Sequence, residues 1–212
     1  MADVKHMKWW GWGVEGVAFT YDNKPDFAPF VKKAVGLELD GSEGSSIAFS
    51  DLTIPASTID ATFLAELGAI VGEENAIVDD ELRLVHTYGK SIRDLLRIRA
   101  SELPRMPDVV LYPADEAEVA SVVAAAVAAN AVIIPFGGGS NISGSLEPHP
   151  GEARVVISLD LGRLNKVVSI DEGSGLARIQ AGAQGPFIEE QLNARGWKIG
   201  RASCRERVYA RV

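Results

Sequence analysis

Apolar and polar positions along the chain follow two rhythms. Before residue 100 the spacing is mostly helical. Asp60 precedes ATFLAELGAIV, which brings Phe63, Leu64, Leu67 and Ile70 to one face and predicts an amphipathic helix capped by Asp60. Residues 91–99 place Ile92, Leu95, Leu96 and Arg99 in register and predict a second helix. The acidic, Gly/Ser-rich stretch 40–46 reads as a solvated connection.

From Pro107 the rhythm changes. Residues 108–112 form a short β-branched run that predicts a buried strand. Asp115 stands three residues before Glu118, a capping-box-like start, and Val119, Val122, Val123, Ala126 and Val127 follow at helical spacing until Asn130 offers a left-handed end. Residues 131–135 read as a second strand. The unit predicts two parallel strands joined by a right-handed crossover. Segments 154–159, 166–170 and 177–181 read as three more strands that give the sheet antiparallel character, and 186–195 reads as a last helix with Gly196 past its end. The expected fold class is therefore α+β: a mostly helical N-terminal segment over 1–106, then a βαβ unit with a mixed sheet over 107–198.

Composition narrows the options. With 47% hydrophobic and 24% charged residues in 212, the chain can bury a sizeable core. A net charge of −8 argues against a nucleic acid or an anionic membrane surface as partner, so any bound phosphate must be held locally. The single cysteine, Cys204, allows no disulfide within the chain and no CxxC metal pair; no metal site is expected, and a reducing, cytoplasm-like compartment fits. The N-terminus lacks an apolar core of signal-peptide length. The apolar stretch 119–136 is rich in alanine and carries Asn130 and Pro135, which suits a buried helix and strand better than a membrane span. The last twelve residues hold four arginines against one glutamate, and "IGRASCRERV" (199–208) resembles a translated sequencing adapter. Residues 199–212 are accordingly expected to be a non-native tail, with a genuine basic tail as the alternative.

The chemistry centres on "IIPFGGGSNISG", where an apolar strand stops at three glycines. A Rossmann fingerprint fails because Ile142 occupies its third glycine position, and a Walker A loop fails because Ser145 stands where lysine is required. Three residues without Cβ still permit positive φ and converging N–H groups, a nest suited to an anion, with Ser140, Asn141 and Ser143 at its rim. Several charge-assisted bonds of about 1.5–3 kcal/mol each could hold a diphosphate without a lysine. A plain connecting turn is the alternative reading of the loop alone.

Residues 107–197, especially "PDVVLYPADEAEVASVV", "PFGGGSN", "VISLDLGRLNKV" and "AGAQGPFIEEQLNARGW", resemble the first half of the PCMH-type FAD-binding domain of the vanillyl-alcohol-oxidase superfamily. That resemblance implies that Pro135, Phe136, Gly137, Gly138, Gly139, Ser140 and Asn141 wrap the diphosphate of FAD. "MKWWGWG" (7–13) and "HTYGKSIRDLLRIRASELPRMPDVVLYP" (86–113) resemble, more narrowly, the alkyl-dihydroxyacetone-phosphate synthases and their bacterial relatives. The implied activity is exchange of the acyl chain of acyl-dihydroxyacetone phosphate for a fatty alcohol in ether lipid synthesis, with flavin in a non-redox part. The alternatives are an FAD-dependent oxidoreductase acting on a 2-hydroxy acid such as lactate or glycolate, and a non-catalytic α/β module. Ser140 stands where covalently tethering members place a histidine, which implies non-covalent FAD. The family's catalytic residues are expected beyond this chain, which alone is expected to be inactive.

Three further groups draw attention. His86 and Tyr88 in HTYGKS read as loop residues without a partner carboxylate. Arg93, Arg97 and Arg99 read as solvated charges pairing with Asp94 and Glu102. Trp9, Trp10 and Trp12 read as core or inter-domain packing, with a headgroup-zone anchor of a membrane-peripheral, cytoplasmic protein as the alternative.

Overall fold

Side-chain caps encoded in the sequence fix where most of the helices start. The computed structural model describes residues 7–17, 21, 23–39, 47–201 and 207–211; the stretch 40–46 and Cys204 lie outside them. Helices α1 (Phe27–Val35), α2 (Ala61–Val71), α3 (Asp80–Val85) and α4 (Ile92–Arg99) precede residue 100, and α5 (Glu116–Ala128) and α6 (Gly185–Asn193) follow it. Asp60 accepts from the Phe63 N–H at 2.9 Å, as expected of an N-cap. Ser91 and Asp94 form a full capping box at α4. At α5 the box is modified: Asp115 accepts from the Ala117 and Glu118 amides, but Glu118 reaches back one residue further, to the Ala114 N–H at 2.7 Å. Asn130 follows α5 at φ 52°, the left-handed conformation its short amide tolerates.

Strands β1 (Ala76–Ile77), β2 (Val109–Leu111), β3 (Val132–Phe136) and β4 (Val156–Asp160) form one sheet in the order β1-β2-β4-β3. The two strands of the βαβ unit, β2 and β3, are parallel but not adjacent. Strand β4 lies between them, parallel to both, in register Val110↔Ser158 and Ile134↔Ser158. This corrects the expected antiparallel role of segment 154–159. All five β4 residues are buried, as befits a central parallel strand covered on both faces. Among the described strands, antiparallel pairing joins β1 to β2, β5 (Val167–Asp171) to β6 (Leu176–Ile179) in a hairpin, and β7 (Trp197–Arg201) to β8 (Arg207–Arg211).

Each face of the four-stranded sheet has its own core. On one, Phe63, Leu67 and Val71 of α2 and Val122, Ala125 and Ala126 of α5 pack on Val109, Leu111, Ile157 and Leu159. The other combines Phe136 with Leu84, Val85, Tyr88, Ile98, Met106 and Trp9. Trp10 packs against this second core, whereas Trp12 is 54% exposed. The α2 stripe runs as expected, with Leu64 and Ile70 at its flanks. The stripe expected of α4 does not: Ile92 is 79% exposed and Leu96 58%, while Asp94 and Ile98 turn inward. The capping box fixes the helix with Asp94 toward the loop that precedes it, and that rotation carries Ile92 to solvent. On α5, Val123 and Val127 likewise lie outside the buried stripe. No helix among the described residues is long and apolar enough to cross a membrane.

Candidate functional site

Strands β3 and β4 end together, with Phe136 opposite Asp160, and the glycine loop leaves from that carboxyl end. Ligands of open α/β sheets bind at such ends. Pro135 sits on the sheet's edge strand, where its missing N–H costs no ladder bond.

The three glycines are not equivalent. Only Gly139 takes a positive φ, +63°, and a Cβ there would stand 2.8 Å from Phe136 Cζ. Backbone conformation and packing therefore account for Gly139. They do not account for Gly137, whose missing Cβ would meet nothing within 4 Å, nor for Gly138, which faces only Gln184 Nε2 at 3.6 Å. Of the three residues permitted a positive φ, one uses it. The other two leave bare backbone with room for a Cβ, a cradle that side chains would fill. At the rim, Asn141 is spent inside the loop: Oδ1 accepts from the Ser143 and Ser145 amides, and Nδ2 donates to the Ser145 hydroxyl at 2.7 Å. Ser140 is exposed.

The HTYGKS segment packs directly behind this loop. His86 is fully buried, with Nε2 3.0 Å from Asp160 Oδ2 and Nδ1 2.7 Å from the Leu82 carbonyl. Its ring lies 4.1 Å from that of Phe136. The reading of His86 as an unpartnered loop residue is thus overturned, since its carboxylate lies 74 positions away on β4. Asp160 also accepts from the Gly162 N–H at 2.7 Å, so one carboxylate joins the turn after β4 to the HTYGKS segment. A Cβ on Gly89 would overlap the Asn141 carbonyl, and the Lys90 N–H donates to that same oxygen at 2.7 Å. The glycine most demanded by close packing here is Gly89, in a segment whose spacing gave no such signal.

Charged and aromatic neighbours tie α4 to the far side of the loop. Arg97 stacks over Tyr88 at 4.7 Å and pairs with Glu147 at 2.6 Å. Arg93 reaches the same Glu147 at 3.8 Å, and Glu102 stands 4.0 Å from Arg97. Glu147, not Asp94, is the principal partner, because Asp94 is committed to its cap. Burial pushes the Tyr88 hydroxyl up to about 12, and it donates to the Glu102 carbonyl at 2.9 Å. The N-terminal turn closes the remaining side: Met7 bridges Val14, and Met7 Cε lies 3.5 Å from the position a Gly139 Cβ would take. Among the described residues no cluster of His, Cys, Asp or Glu is suited to a metal ion. What the loop offers is main-chain donors and bare backbone, a donor set that fits a diphosphate.

Comparison with known proteins agrees with this chemistry. Residues 107–208 match the family described as FAD binding domain. The chain is 33% identical over 215 residues to alkyldihydroxyacetonephosphate synthase of Trypanosoma brucei brucei, a match covering 92% of this chain and 35% of that protein. Among solved structures it is similar to an alkyldihydroxyacetonephosphate synthase, with TM-score 0.83 and 31% identity over 94% of this chain and 41% of the other. A likeness to p-cresol methylhydroxylase, TM-score 0.51 at 16% identity, covers 68% of this chain and 27% of that one and shows the shared fold. The chain thus spans about a third of the length of the trypanosomal relative.

Proposed function

This chain belongs to the alkyldihydroxyacetonephosphate synthase family, and on that premise we propose that its glycine loop holds the diphosphate of a non-covalently bound FAD. Residues 135–141 form the contact: Pro135 and Phe136 anchor the loop, Gly137 and Gly138 present bare backbone, Gly139 makes the turn, and Ser140 and Asn141 shape the rim. The observation that carries this reading is the room left at Gly137, whose Cβ would meet nothing, and at Gly138, whose Cβ would meet only the Gln184 amide at van der Waals distance; packing inside the chain requires neither glycine. Non-covalent attachment is supported by Ser140 after the glycines and by the commitment of the buried His86 to Asp160. In this division of labour the flavin ring supplies the reactive centre, and these residues fix the diphosphate end and exclude side chains from it.

For the whole protein we propose the exchange of an acyl chain on dihydroxyacetone phosphate for a fatty alcohol. The relatives' names support this over oxidation of a 2-hydroxy acid. Residues 1–106 serve as an N-terminal segment and 107–198 as the first lobe of the flavin domain. A lipid substrate suits a cytoplasmic, membrane-peripheral protein, with the exposed Trp12 as the available headgroup-zone ring.

Titration of the chain with FAD tests the site. Gly138→Val should abolish flavin retention with circular dichroism unchanged, because a branched side chain blocks the anion's approach; retention equal to wild type would refute the assignment. For the activity, the full-length protein should exchange acyl for alkyl chains without an electron acceptor. Turnover of lactate or glycolate with an acceptor would favour the oxidoreductase instead.

A further inference from the structure

The glycine loop carries no charge to match a diphosphate. From Ala131 to Ala153 the sequence holds no lysine or arginine, and the chain as a whole is at −8. The structure supplies a cation from elsewhere. Lys90, 4% exposed, donates its backbone N–H to Asn141 on one side of the loop. Its Nζ donates to the Lys8 carbonyl at 2.8 Å on the other, next to Met7, which abuts Gly139. The buried Lys90 thus links the loop at Asn141 to the N-terminal turn that packs on Gly139. We propose that Lys90 is the fixed positive charge of the diphosphate site, replacing the loop lysine that the sequence lacks at Ser145.

Several features support that role. A buried ammonium with one of its three donors taken by a carbonyl is stabilised by an incoming anion far more than a solvated one would be. Burial pushes Lys90 down to about 8, with Asp94 of α4 opposing the shift. The other cation packed nearby, Lys8, is turned away: its Nζ donates to the Val17 carbonyl and lies over the Trp10 ring. Lys90 acts through space and through the loop it braces, so it is a positioning residue and not a catalytic one.

The inference rests on the loop's assignment as a flavin diphosphate site, and two ligands separate the two claims. The intact chain and its Lys90→Met and Lys90→Arg variants are titrated with FAD and with riboflavin, which lacks the phosphates. Failure of wild type to bind FAD would refute the site itself. Given wild-type binding, Lys90→Met should weaken FAD by about tenfold or more and leave riboflavin unchanged, and Lys90→Arg should restore most of the loss. Equal weakening of both ligands, or no weakening of FAD, overturns the proposal. If Lys90→Met does not fold, wild type still decides: its preference for FAD over riboflavin should fall between pH 7 and 9.5, and a constant preference overturns the proposal.

Discussion

His86 and Asp160 meet at 3.0 Å beneath the glycine loop, both fully buried, with an acceptor oxygen against each nitrogen of the imidazole ring. That geometry is satisfied only when ring and carboxyl share two protons between them. Asp160→Ala removes the partner of His86 and of the Gly162 amide together and is expected to cost about 3–5 kcal/mol in urea unfolding. Asp160→Asn offers an N–H to the ring and an oxygen to Gly162, and should cost far less. Equal losses for the two variants would contradict this account of the pair.

Gly139→Ala and Gly137→Ala are expected to fail in different ways. The first forces an L side chain to φ +63° against the Phe136 ring and should lower stability by more than about 1 kcal/mol. The second meets no atom of the protein, so stability should hold or rise slightly while FAD affinity drops. Thermal melts paired with flavin titrations distinguish the two.

Lys90 predicts a rise of stability in alkali. Its folded value, about 8, lies below the ordinary 10.5, so the folded chain releases this proton first. Stability is therefore gained as pH climbs from about 8 toward 10.5, by an amount on the order of 1–3 kcal/mol. Tyr88 works the other way, because its folded value of about 12 exceeds the ordinary 10 and its contribution is lost only above pH 10. Between pH 7.5 and 9.5 the wild-type midpoint should rise relative to Lys90→Met; parallel profiles would rule the effect out.

On α4 the exposed and buried apolar positions should differ sharply. Ile92→Ser and Leu96→Ser are surface changes expected to stay within about 0.5 kcal/mol of wild type. Ile98→Ala, at 1% exposure, should cost about 2–5 kcal/mol. Denaturant midpoints of the three variants check the helix's orientation.

Local signals were legible wherever the physics is local. Asp60 and Asp115 mark helix starts because a cap needs only neighbouring amides, and Asn130 marks an end because left-handed backbone suits its side chain. The glycine run was legible as a loop of bare backbone for the same reason, and the anion it holds is the proposal made above. Amphipathic spacing was weaker evidence: the fold leaves Ile92 and Leu96 of the α4 stripe in water, since burial depends on which neighbours a helix meets.

What the chain alone determined was therefore its elements, their caps and the loop at the end of β3. Tertiary structure decided that β4 would slide between β2 and β3, because period-two patterning states which face is buried and not which strand lies beside it. It also decided the company of the loop: Asp160 for His86, Glu147 for Arg97, Gly89 and Lys90 against Asn141. Those partners lie dozens of residues apart, and only the assembled sheet with a core on each face brings them within hydrogen-bonding reach.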